Sequence, residues 1–112
     1  MTPNMLNTYV AEDTPKEHYD YAIKTARMQN SGRMDEFIGA AVALAKNCGV
    51  AVCDCYAKWK ELSATEDTTL LLENRINHPT PEMHKLFAES LYKMILGEED
   101  CGKADDSTMF TR

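Results

Sequence analysis

The chain has 112 residues, of which 44% are hydrophobic and 27% charged; this fits a single globular domain and excludes disordered and fibrous classes. Lys plus Arg number 12 and Asp plus Glu 18, and the resulting net charge of −6 excludes a nucleic-acid backbone as partner, because phosphates need a basic face. No apolar run approaches the ~20 residues of a membrane span, and Met1-Thr2-Pro3-Asn4-Met5 lacks the basic and apolar regions of a signal peptide, so a cytoplasmic chain without membrane contact is expected.

The first segment, Thr2 to Asp13, carries Met5, Leu6, Tyr9 and Val10 without a clear period. Thr14-Pro15-Lys16-Glu17 reads as a capping box with proline at the first helical position. Tyr19, Ala22, Ile23 and Ala26 extend it into a predicted helix from Pro15 to about Met28, broken by Gln29-Asn30-Ser31-Gly32. Ser31 can cap the next helix, and Asp35 and Glu36 suit the positive end of its dipole. Met34, Phe37, Ile38, Ala41, Leu44 and Ala45 form its apolar stripe, and Asn47-Cys48-Gly49 ends it.

Val50-Ala51-Val52-Cys53 is a consecutive apolar run, partly β-branched, and predicts a strand buried on both faces, as in a parallel sheet. Asp54 then stands at its carboxyl end, where open α/β sheets place their ligands. A lone buried strand leaves backbone groups unsatisfied, so it needs parallel neighbours. Thr2-Pro3-Asn4 reads as the exit from one, and the sequence is expected to begin inside an α/β sheet. Cys55 to Leu62 is amphipathic, with Tyr56, Trp59 and Leu62 on one side. Thr65 to Thr69 reads as a polar loop and Leu70-Leu71-Leu72 as a short turn or helix. Thr80, Pro81 and Glu82 start the best-marked helix; Met83, Leu86, Phe87, Leu91, Met94 and Ile95 are its predicted buried stripe, and Gly97 its C-terminal cap. Residues 98–112, with five acids and two bases, read as a solvated, disordered tail.

The chemistry-bearing residues are few. Without a secretory signal, Cys48, Cys53, Cys55 and Cys101 are expected as reduced thiols. No Cys-x-x-Cys pair exists, and Cys53 reads as a small buried hydrophobe. His18 lies among polar residues and is expected at the surface, whereas His84 adjoins the last apolar stripe and is expected to pack or hydrogen-bond there. His78 sits between Asn77 and Pro79, just before a capped helix. Proline restricts both its own backbone and the preceding residue, and a histidine held in this way suits a general base. Pairing His78 with His84 as metal ligands does not match the i, i+4 spacing of a zincin helix, and no metal or cofactor is expected. No phosphate loop, Gly-x-Ser-x-Gly elbow or dinucleotide fingerprint is present.

From Gly49 to Leu96 the chain (GVAVCDCYAKWKEL, then LLLENRINHPTPEMHKLFAESLYKMIL) resembles the C-terminal end of the SGNH, or GDSL, hydrolase family, which shows a strand ending in Asp, an aromatic-rich segment and a His-Pro block opening the last helix. TPNML and QNSGRMDEFIGAAVALAKN upstream resemble a strand end and the helix after it. The resemblance covers nearly all of residues 1–97. It implies a partial flavodoxin-like three-layer α/β fold, helix-rich, with one buried parallel strand at about 49–54, and His78 as the general base of ester hydrolysis. The substrate would be a carboxylic ester or a sugar acetyl ester. The family's Asp three residues before the histidine is Arg75 here, which leaves Glu73, Asp54, Asp67 or a carbonyl to orient His78. The family's Gly-Asp-Ser nucleophile block and its oxyanion donors are absent. The expectation is therefore the C-terminal part of an ester hydrolase, inactive alone, prone to self-association or awaiting an N-terminal half. Two other readings stand beside it: a helical, non-enzymatic interaction module with an acidic tail, and a metal-binding protein using Cys53, Cys55, His78 and His84.

Overall fold

A computed structural model describes residues 1–97; the predicted tail lies outside the described residues. Four α-helices follow an irregular N-terminal segment: α1 (Tyr19–Asn30), α2 (Arg33–Asn47), α3 (Cys55–Leu62) and α4 (Pro81–Leu96), with 3₁₀ turns at Lys16–His18 and Thr68–Leu71. α1 packs on α2 and α3 on α4. No helix among the described residues is long and apolar enough to cross a membrane.

The predicted α/β architecture is not formed. Among the described residues there is no strand, only an isolated antiparallel bridge between Leu72 and Pro79. The reason lies in where the ends of the apolar run are tied. The Val50 N–H donates back to Ala45 O at the end of α2 (2.8 Å), and the Cys55 N–H turns onto Cys53 O (3.1 Å) as α3 begins. Too little chain remains between these anchors for a ladder, and the N-terminal segment meets it at the backbone bond from Thr2 N–H to Cys53 O, 2.9 Å. The burial signal was nevertheless real. Val52 and Cys53 are buried, packed with Cys55 among Val42 and Ala45 of α2 and Leu86, Phe87 and Met94 of α4. A buried connector between helices and a buried strand give the same short apolar run. Val50, at 56% exposure, belongs to neither.

The larger core joins Met5, Ile38, Tyr56, Trp59 and Leu72. α3 supplies Tyr56 and Trp59 as its sequence stripe predicts, and Asp54, rather than closing a strand, caps α3 by accepting from the Ala57 N–H at 3.2 Å. α4 begins at Pro81 and stops at Gly97, which takes φ 75°, a left-handed conformation that glycine adopts without steric cost. The Thr14 capping box does not close: Pro15 is extended (φ −57°, ψ 138°), a 3₁₀ turn precedes α1, and the buried Thr14 hydroxyl finds no partner among the described residues. At α2 the N-cap is Gly32 with φ 87°; Ser31 instead sends its hydroxyl to Met28 O.

Two predicted stripes are only partly buried. Ile38 is buried in α2, but Phe37 (70% exposed) and Leu44 (64%) face outward. In α4, Met83, Leu86, Phe87 and Met94 are half-buried, while Leu91 and Ile95 are exposed.

Candidate functional site

His78 lies at the end of a short loop that the chain closes on itself. The Leu72–Pro79 bridge is flanked by Glu73 N–H to His78 O (2.6 Å) and Thr80 N–H to Leu71 O (3.0 Å). Inside the loop the Asn74 amide oxygen accepts from three backbone N–H groups, those of Ile76 (3.0 Å), Asn77 (2.9 Å) and His78 (3.0 Å). Its amide nitrogen donates to Asn77 Oδ1 at 2.8 Å. Asn side chains compete well for local backbone groups, and here one side chain does the work of a helix turn. Buried Pro79 then hands the chain to α4. The His78 side of the loop is exposed.

Arg75, which stands where the resemblance calls for Asp, turns away. It takes φ 63°, an unusual value for a residue with a Cβ. Its guanidinium pairs with Asp13 (Nη2 to Oδ2, 3.0 Å) and donates through Nη1 to the Leu70 and Leu72 carbonyls. The pair holds the Asp13 carboxyl below the usual carboxylate range, chiefly through the Arg75 hydrogen bond.

None of the carboxylates considered as partners of His78 meets its imidazole. Asp54 accepts from Thr2 Oγ1 (2.9 Å) and the Ala57 N–H; Asp67 accepts from Tyr9 Oη (2.6 Å) and the Thr69 N–H. Glu73 touches the histidine only through its backbone. Among the described residues the imidazole has no hydrogen-bond partner. His18 is exposed as expected; His84 is exposed too, its ring tilted against Phe87 with centroids 6.4 Å apart.

Two of the serines are engaged elsewhere. Ser63 donates to Lys60 O, Ser31 to Met28 O, and Ser90 is buried in α4; Ser107 lies outside the described residues. Cys53 and Cys55 are both buried with sulfurs 3.8 Å apart, and burial pushes the Cys55 thiol up to about 12. The metal reading is not realised among the described residues: nowhere do three or more His, Cys, Asp or Glu side chains gather at a metal-binding distance.

The N-terminal segment ties this loop to the rest of the molecule. Asn4 donates to Asn77 O (3.0 Å), and the Asn7 N–H donates to Ile76 O (3.0 Å). Asn7 itself is wholly buried, donating to Tyr9 O and Ala22 O and accepting from Thr25 Oγ1 at 2.5 Å. Gln29 accepts from the Leu6 N–H (2.8 Å) and donates to Tyr56 Oη (2.8 Å), which donates to Asp35 Oδ1 (2.6 Å); Lys60 Nζ meets Asp35 Oδ2 at 3.1 Å. Burial, aided by Asp35, raises the Tyr56 hydroxyl to about 12. The same hydrogen bond holds Asp35 low. Sequence reading passed over this network. Its signal was the spacing of Ala22, Thr25, Ala26 and Gln29, which puts two polar residues on the buried stripe of α1.

Comparison with protein-family models, curated proteins and solved structures found no match to this chain.

Proposed function

We propose that this chain is the histidine-bearing part of an SGNH-type ester hydrolase, with His78 as the general base that takes a proton from a serine hydroxyl and returns one to the leaving alcohol. The observation that carries the reading is the His78 loop. An exposed histidine follows a backbone locked by one asparagine and precedes a proline-started helix, which is how a base can be positioned on a rigid element. Serine and oxyanion donors would come from further polypeptide. The exposed Phe37, Leu44, Tyr92 and Ile95 support association with such a segment or with a second copy. The reading includes a cytoplasmic location, the compartment in which cysteines stay reduced.

Two measurements test it. The purified chain should hydrolyse p-nitrophenyl acetate no faster than free imidazole. Serine-dependent turnover abolished by His78→Ala would show that the nucleophile is already present and overturn the reading of this chain as a part. In the coding DNA upstream of Met1, a Gly-Asp-Ser block supports the reading, while continuous coding sequence without one refutes the hydrolase assignment. The second reading, a non-enzymatic helical interaction module, is favoured by one observation: the described residues form helices and no sheet.

A further inference from the structure

A cleft of about 450 Å³ opens between the N-terminal segment, the end of α1, the start of α2 and the chain that follows α3. His78 does not line it. Its volume falls within the range of small-molecule sites. Three carboxylates, Asp35, Glu66 and Asp67, face one ammonium, Lys60, so an anionic ligand is repelled.

The hydrogen-bonding groups left over define the ligand further. On the acceptor side, Asn30 spends its amide N–H on Thr8 O (2.9 Å), which leaves its oxygen available, and the exposed Glu66 carboxylate has no donor among the described residues. On the donor side, Lys60 uses one hydrogen on Asp35 and Gln29 one of its two amide hydrogens on Tyr56. Thr68, 3% exposed, also lines the cleft, and a threonine hydroxyl can both donate and accept.

A site offering both donors and acceptors selects groups that can do both, which hydroxyls can and ammonium groups cannot. Tyr9 adds an apolar surface at the rim. It is 41% exposed, and its hydroxyl is anchored on Asp67 at 2.6 Å, so the ring is held ready to lie against the C–H face of a flat, hydroxyl-rich ring.

We infer that this cleft is a binding site for a neutral polyhydroxyl ligand, a pyranose sugar, recognised by Glu66, Asn30, Lys60 and Thr68 and stacked on Tyr9. The inference stands independently of the ester-hydrolase reading, because it uses none of the His78 loop.

The test is ¹H–¹⁵N NMR titration of the full chain with glucose, galactose and mannose, with putrescine as the cationic arm. At least one sugar should shift the amides of Asn30 and Glu66 to Thr68 saturably, while putrescine leaves them in place. The exposed substitutions Glu66→Gln and Tyr9→Ala, which leave the core intact, should each weaken sugar binding about tenfold, as expected for losing a charge-assisted hydrogen bond or a stacking surface. Three results would overturn the inference: no shift at these amides with any of the sugars at ~100 mM, well above ordinary binding constants; saturable shifts with putrescine alone; or sugar affinity untouched by both substitutions.

Discussion

Replacing Asn74 with alanine removes the group that organises the His78 loop. Its oxygen accepts three hydrogen bonds, at 3.0, 2.9 and 3.0 Å. A typical intramolecular hydrogen bond contributes about 0.5–1.5 kcal/mol net, so three span roughly 1.5–4.5 kcal/mol. Water takes over at exposed His78 and half-buried Asn77, but Ile76 is only 2% exposed and its N–H has no such substitute. The cost therefore falls near the lower end, about 2 kcal/mol. It should appear as local opening, because the two cores lie outside the loop except for Leu72. At tenfold per 1.4 kcal/mol, the loop opens about 30-fold more often. Native-state hydrogen exchange followed by NMR reads this directly: the amides of residues 76–78 should exchange about 30-fold faster, with those of α3 unchanged. Asn74→Asp keeps an acceptor oxygen and should retain most of the protection. Exchange at 76–78 unchanged in Asn74→Ala would refute the reasoning, as would equal loss in Asn74→Asp.

The wholly buried Asn7 makes three side-chain bonds, so Asn7→Ala should destabilise the whole fold by about 2–3 kcal/mol in urea unfolding; a change under ~0.5 kcal/mol contradicts the network as described. The Asp13 and Asp35 carboxyls are held below their unfolded pKa of 3.8, so their contribution is present above that value and lost as pH falls through the lower folded pKa values. Asp35→Asn should therefore flatten the acid limb of the stability–pH curve. Tyr56 runs the other way. Raised from 10.0 to about 12, its contribution is complete below pH 10 and lost as pH rises towards 12, and Tyr56→Phe should flatten the alkaline limb of the same curve. Iodoacetamide at pH 8 should modify exposed Cys48 readily and Cys55 only after denaturant is added, since Cys55 is buried and its thiol is pushed up to about 12; equal rates in the native chain would show that the α2–α4 core opens freely.

The parts of the fold that sequence reveals are those decided within a few residues. α4 is bounded by Pro81 and Gly97, and α3 by the apolar side formed by Tyr56 and Trp59. The Thr14 box failed although its residues are ideal, because the Thr14 N–H is held by Ala11 O in a turn and Pro15 stays extended; propensity yields there to the tertiary path of the chain. The missing strand is a failure of a different kind. Val50 to Cys53 signals burial, and burial alone does not say whether a sheet or two helices provide it. At the candidate site, the position of His78 before Pro79 was legible, and so was the departure at Arg75. The role of Asn74 was not, since its three bonds depend on a loop geometry that no spacing announces. The Gln29–Tyr56–Asp35 chain spans 21 and 27 residues between its partners and depends on the packing of α1, α2 and α3.

The N-terminal segment has a consequence for how the molecule reaches its fold. Thr2 bonds across 52 residues to Asp54, Thr8 across 61 to Thr69, and Asn4 across 73 to Asn77. Each of these closures carries the entropy of a long loop, repaid only after α1, α3 and the His78 loop already stand in place. Of the described residues, those synthesised earliest are thus the last to settle. Until residue 77 has emerged, Met5 and Asn7 have nowhere complete to be buried, and the interval before that closure is when the nascent chain is most exposed to proteases and to wrong partners.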